Sequence, residues 1–288
     1  MSVQPILSPL SASQYMACNS AINVIKNGTF EEIKNILKSG TVNFQEMEDG
    51  QTLLNLFCER SFLTVSDNNN ILEIIEILSS KVDVNAKDKS DDTPLNKIIS
   101  KEIVSVSLSK RIIKILLDKG AIIDESLGHC PLHPAALNGN WLALDTLLDH
   151  VDPNNCEYLN RAEDSAQPIF YTLVLCDQLY ILEKLLEISP ASVNILDNHG
   201  NTLLHKAILS GRIKIILILL NCDNIDLEVK DREGKTPFVI AALNQNTDIM
   251  AMLVEKGASR AIDPKVFDHI TDEEADILRS FNITKKAD

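Results

Sequence analysis

Apolar residues recur along this chain in short clusters at helical spacing. The densest are IIEIL (residues 74–78), IIKILL (112–117), ILEKLL (181–186) and IKIILILL (213–220), and lighter apolar segments precede them. The spacing predicts a helix over each segment, and the short polar stretches between them predict antiparallel pairs. Thr52, Thr93, Thr202 and Thr236 stand where a hydroxyl can cap a helix N-terminus. Pro94, Pro131, Pro168 and Pro237 are expected at the first helical position, where proline's missing N–H loses no partner. The small pairs Ala135-Ala136 and Ala241-Ala242 let the lighter helix approach its neighbour, and Gly139 and Gly211 permit the turn into the second helix. No such pair can bury its apolar face alone, so neighbouring pairs must stack.

The pairs repeat. DNHGNTLLHKAILSGRIKIILILL begins at Asp197 and DREGKTPFVIAALNQNTDIMAMLVEKGAS at Asp231, with Thr202 and Thr236 in register 34 residues apart. Matching segments begin at Gln167, Cys130, Asp91 and Glu48, and AINVIKNGTFEEIKNILKSG from Ala21 keeps only the later part of the unit. These segments resemble the ankyrin family, whose unit reads roughly D-x-x-G-x-T-P-L-H-x-A-A-x-x-G and continues into a leucine-bearing second helix. The resemblance implies an all-α ankyrin-repeat solenoid of paired antiparallel helices joined by hairpin loops. It divides the chain into an N-terminal extension (1–20), a partial capping repeat (21–48), six repeats (49–260) and C-terminal capping helices (261–288). Two of the repeats carry inserted loops, around Ser61–Asn70 and Lys101–Ser109. In the final segment Asp263-Pro264 suits a helix start, and Thr271 with Glu274 forms a capping box ahead of Ala275, Ile277 and Leu278.

Composition changes the picture mainly by exclusion. Aromatics are only 5% of the 288 residues, so the core must be built from Leu, Ile, Val and Ala. The net charge of −14 would repel a phosphate backbone, which argues against nucleic acid and for a partner protein with a basic surface. Six cysteines lack any CxxC pairing and are expected as reduced, mostly buried thiols in a cytoplasmic setting. The N-terminal segment lacks a basic start followed by an apolar core, and the longest apolar run is too short for a bilayer, so membrane insertion is not expected. A monomer is expected.

The stretch GHCPLHPAALNGN (128–140) carries the one constellation that resembles chemistry. As a Fic-type nucleotidyl-transfer motif it fails, with Ala135 for Phe, Leu137 for the acid and no Arg before Arg161. As a nucleophilic dyad, Cys130 and His133 are three residues apart at a helix start, close enough to meet. As a zinc site, His129, Cys130 and His133 lack a second ligand pair. In the ankyrin resemblance, Cys130 takes the small capping position and His133 the position shared with His205, where the family's imidazole bonds backbone near the turn. No cofactor or metal is expected, and neither is catalysis.

What the resemblance does imply is a recognition surface. The first-helix residues two before the turn glycine, aligned as Leu137, Val174, Leu209 and Leu243, and those after the histidine, aligned as Pro134, Tyr171, Lys206 and Ile240, point into the concave groove in this family. Apolar residues at four such positions form a candidate partner-binding stripe, unless the helices rotate it into the core or the tail folds over it. The hairpin tips add His199, Arg232, Glu233 and Lys235, while Asp197 and Asp231 at the unit starts are expected to bond turn amides. The expected function is therefore a non-catalytic protein-binding scaffold. Two alternatives stand beside it. One is a bacterial effector acting in a host cytosol, suggested by the acidic run DEEAD (272–276). The other is an enzyme with a site at Cys130/His133 or in the inserted loops.

Overall fold

The computed structural model describes residues 21–44, 51–60, 68–100, 106–123, 130–160 and 168–281. The expected extension (1–20), the segments 61–67 and 101–105 of the two inserted loops, and His129 lie outside the described residues. The chain divides into two compact units, Met1–His150 and Val151–Asp288. Every regular element among the described residues is helical. None of the helices is long and apolar enough to cross a membrane.

The first unit opens with a helical segment over residues 21–27 and continues with α1 (Phe30–Lys38), α2 (Leu53–Cys58), α3 (Asn68–Ser79), α4 (Pro94–Ile99), α5 (Val106–Asp118), α6 (Leu132–Leu137) and α7 (Trp141–Leu148). Short first helices α2, α4 and α6 stack in one row and longer second helices α3, α5 and α7 in another. The two inserted loops are shorter than the sequence indicates, because their last residues join the second helix. Asn68–Asn70 open α3 and residues 106–109 open α5. The second unit repeats the plan with α8 (Ile169–Leu175), α9 (Leu179–Ile188), α10 (Leu203–Leu209), α11 (Ile213–Leu220), α12 (Pro237–Leu243) and α13 (Thr247–Glu255). A 3-10 turn (Pro264–Asp268) and α14 (Asp272–Ser280) then follow, with α14 packed on α12.

The helix starts follow side-chain chemistry. The hydroxyls of Thr52, Thr93, Thr202 and Thr236 accept the amides of Asn55, Asn96, His205 and Val239 at 3.2–3.4 Å. Pro94 and Pro237 occupy the first helical turn as expected. The other two prolines do not. Pro168 is itself the cap residue, with ψ 145°, and Pro131 precedes α6 with helical dihedrals. The second proline of that segment, Pro134, removes one bond. The first i to i−4 bond there is Ala135 N to Pro131 O, one residue later in the repeat than in α10 and α12. In those helices Lys206 N and Ile240 N reach Thr202 O and Thr236 O, and the matching carbonyl in α6 is that of Cys130.

The turn between paired helices is the same in four repeats. Gly139, Asp177, Gly211 and Gln245 all have positive φ, between 54° and 66°. In each, the following amide reaches five residues back, as in Arg212 N to Ala207 O at 2.9 Å and Gln178 N to Leu173 O at 2.9 Å. Apolar burial supplies the cohesion. Leu53, Leu54, Ile74 and Ile75 in the first unit, and Leu203, Leu204, Ile215 and Ile216 in the second, are fully buried. Each contributes about 1.5–3 kcal/mol against exposure. Amide clamps tie consecutive repeats together: Asn85 Nδ2 donates to Gly120 O at 2.9 Å, and Asn194 Nδ2 to Asn224 O at 2.6 Å.

Consecutive hairpins in the second unit also touch directly. Arg232 N donates to His199 O at 3.0 Å, and Gly200, at φ +79°, lies against that junction. A Cβ on Gly200 would fall 3.1 Å from Arg232 N, whereas one on Gly211 would meet nothing within 4 Å. Gly211→Ala is therefore expected to cost about 1 kcal/mol of backbone strain. Gly200→Ala should cost about 2–3 kcal/mol, because strain and crowding add. Urea denaturation of both variants checks this ordering.

Candidate functional site

The hairpins preceding α4, α10 and α12 are each built around an aspartate. Asp197 Oδ1 accepts the amides of His199 and Asn201 at 2.8 Å each, and Asp231 Oδ1 accepts those of Glu233 and Lys235 at 2.9 and 2.8 Å. In the first unit Asp88 Oδ1 does the same for Ser90 and Asp92. Burial pushes the Asp197 carboxyl up, but the bonds from Asn201, Lys206 and His199 more than offset it and hold it below the usual range. These aspartates form the tips by fixing backbone, so the outward side chains are those between them: His199, Arg232 and Glu233, all exposed, with Lys235 half-buried and paired to Glu233 at 2.6 Å.

The third residue of three first helices, α2, α8 and α10, locks the next hairpin. His205 Nδ1 accepts the Thr202 amide at 3.0 Å, which leaves Nε2 as the N–H donor to Lys235 O at 3.1 Å. Burial lowers the imidazole's pKa and keeps it neutral. One repeat earlier the same place belongs to Tyr171. Its hydroxyl is a donor 2.6 Å from Asn201 O and 2.8 Å from Ile195 O, and burial followed by the Asp197 charge pushes the phenol pKa up. Asn55 repeats the device in the first unit, donating from Nδ2 to Ala86 O at 2.9 Å.

This register corrects the expected groove residues. Tyr171 and Val174 are both 0% exposed and face the core, not a partner. The alignment on Pro168 was one residue out: Pro168 takes the threonine's cap position and Asp177 the glycine's turn position. Counting back from Asp177 places Thr172 and Leu175 at the groove positions, and Leu175 is 47% exposed. A signal for this existed in the second helix, where LYILEKLL (179–186) aligns with IKIILILL (213–220) and brings Asp177 onto Gly211. Ile240 is also buried, and Lys206 is half-buried with its ammonium 3.1 Å from Asp197 Oδ2. Leu137 and Leu209 are the open positions, at 64% and 52% exposure; Pro134 and Leu243 are half-buried.

In the second unit these parts converge on one cleft of about 350 Å³. The tips contribute His199, Arg232, Glu233 and Lys235, and the first helices contribute Leu209, Ile240 and Leu243. Glu274 of α14 also lines the cleft, and Leu209 stays 52% exposed. The acidic run around Glu274 is the first turn of α14. There Glu274 accepts the Thr271 amide at 2.8 Å, and the carboxylates sit at a favourable helix N-terminus.

The two described members of the constellation at the start of α6 are inaccessible. Cys130 and His133 are both buried, and the thiol donates to Ile123 O at 3.3 Å. Among the described residues no group of three His, Cys, Asp or Glu side chains is arranged to hold a metal. The expectation of mostly buried thiols holds for Cys58 and Cys130. Cys156 and Cys222 are half-buried, however, and Cys176 is exposed.

The fold and its hairpin cleft define a repeat-built helical scaffold of the kind that mediates protein interactions. The family profile "Ankyrin repeats (3 copies)" matches residues 61–157 and 171–267, and the chain belongs to that family. A putative ankyrin repeat protein of Fowlpox virus, FPV031, is 29% identical over 205 residues, covering 67% of this chain and 47% of that protein. One from Rickettsia felis is 41% identical over 69 residues, 24% of this chain and 23% of its own length. The chain thus spans half or less of the length of these relatives. The solved human ASB11 ankyrin repeat domain superposes with a TM-score of 0.54 at 20% identity, covering 83% of this chain and 98% of that one.

Two expectations test the locking side chains. Tyr171→Phe removes the donor to buried carbonyls and should cost about 1–3 kcal/mol in urea denaturation. For His205 the sign follows from its lowered folded pKa. As pH falls below the ordinary value near 6.5, the unfolded imidazole takes up a proton that the folded one refuses, so stability is full above that value and declines below it. The urea midpoint should therefore drop between about pH 7 and pH 5, and drop less in His205→Asn.

Proposed function

We propose that the chain is a non-catalytic scaffold that binds a partner protein through the hairpin tips and first-helix ends of its second unit. The observation that carries this reading is the cleft that joins His199, Arg232, Glu233 and Lys235 to Leu209 and Leu243. It pairs an exposed apolar anchor with a mixed-charge rim, the division of labour found at protein interfaces. Leu175 continues the apolar line in this unit and Leu137 holds the equivalent position in the first. The net charge of −14 favours encounter with a basic partner surface. The buried positions of Cys130 and His133 support the non-catalytic reading, because neither side chain is presented to a substrate.

The test compares the two faces of the second unit. Leu209→Glu places a charge on the cleft anchor and should weaken capture of a cellular partner by about tenfold or more. Tyr180→Glu, at a 63% exposed position on a second helix and outside both clefts, should leave that capture intact. Helical circular dichroism and urea midpoints should match wild type in both. Unchanged capture by the Leu209 variant would overturn the reading.

A further inference from the structure

The second helices of the second unit carry another recess. Between α9 and α11, at their C-terminal ends, a cleft of about 420 Å³ is lined by apolar Leu186, Pro190, Leu217 and Ile218 and by the carboxylates of Glu183, Glu187 and Asp223. It lies within the size range of ligand-binding recesses. Leu217 is 48% exposed on its wall, on an outward face of α11 that it shares with Ile213 and Lys214.

Three observations give this recess a sign as well as a shape. Both α9 and α11 end there, and helix C-termini present partial negative charge. Neither helix has a basic residue in its last turn to neutralise that end. Glu183, Glu187 and Asp223 make no ion pair among the described residues, and no basic residue lines the cleft. Lys256 reaches only the side-chain carbonyl of Asn221 at the margin, at 3.1 Å. The wall is also held in place: Asn194 donates to Asn224 O and accepts the Asp226 amide, fixing the loop that carries Asp223.

We propose that this cleft is a second docking site, on the second-helix face, for a basic amphipathic peptide segment of a partner protein. The occupant places an aliphatic side chain against Leu186, Leu217 and Ile218 and a flanking Lys or Arg among Glu183, Glu187 and Asp223. Apolar anchoring alone leaves three uncompensated carboxylates at two negative helix ends; a cation alone leaves the apolar wall unused. Only a ligand combining both satisfies the surface. This site does not depend on the hairpin cleft.

Fluorescence anisotropy with a labelled Leu/Lys amphipathic peptide, and with the same peptide carrying Glu for Lys, tests the proposal on the full chain. The basic peptide should bind and the acidic one should not. Glu183→Gln, Glu187→Gln and Asp223→Asn together should weaken binding by about tenfold, while neutralising Asp272, Glu273 and Asp276 on α14 should change it by less than about twofold. Leu217→Glu should also weaken it, and Leu209→Glu should not. Bound peptide should slow maleimide labelling of Cys222, which lines the cleft, but not of exposed Cys176. Equal loss from the α14 charges, no protection of Cys222, or spermine competing as well as the peptide would each overturn the proposal, since each reduces the effect to charge alone.

Discussion

Two successive repeat junctions of the second unit depend on one reach of a side chain: the third residue of a first helix bonding backbone in the following hairpin. Tyr171 bonds the hairpin that starts at Asp197, and His205 bonds the one that starts at Asp231. The hairpin's own aspartate turns its amides inward and leaves a carbonyl, at Asn201 or Lys235, with no partner inside its own loop except one ladder bond. The buried donor completes that carbonyl and sets where the tip stands relative to the helix before it. Removing the donor leaves a buried acceptor short of a partner, a cost greater than the bond's net worth in water. Tip positions therefore follow from core chemistry.

The same economy separates buried from outward positions along each helix. Thr, His or Tyr and the buried Leu and Ile are fixed by capping and packing, whereas the residue two before the turn is pushed outward by the helix period. Leu137, Leu175 and Leu209 are exposed for that reason, and Leu243 is partly covered because α14 packs on its helix. On the second helices, Leu217 is outward by the same geometry, between the buried pairs Ile215-Ile216 and Leu219-Leu220. Two faces of one unit thus carry exposed leucine beside charge, one of mixed sign and one acidic.

Much of this was legible in the residues. Threonine caps, the Thr271–Glu274 box and the glycine turns were readable because each rests on local backbone chemistry within four residues. The groove register of the Pro168 repeat was not, because that repeat lacks both the threonine and the glycine that mark it. Proline substitutes for one and a left-handed Asp177 for the other. The same one-residue shift puts Tyr171 at a groove position, whereas its hydroxyl bonds carbonyls 24 and 30 residues away that no local pattern reveals. The inserted loops were overestimated because Asn-rich and Ser-rich sequence at 68–70 and 106–109 reads as loop, yet it extends a helix that packs on its neighbour.

The sequence by itself determined the helix pairs, their caps and the family, because these depend on spacing and on hydrogen bonds between near neighbours. Tertiary structure alone decided which leucines remain outside, how Ile240 and Lys206 are withdrawn, and that the tips, Leu209 and Glu274 border one cleft. Those outcomes depend on the stacking of one repeat on the next, where a side chain's neighbours lie a full repeat away in sequence.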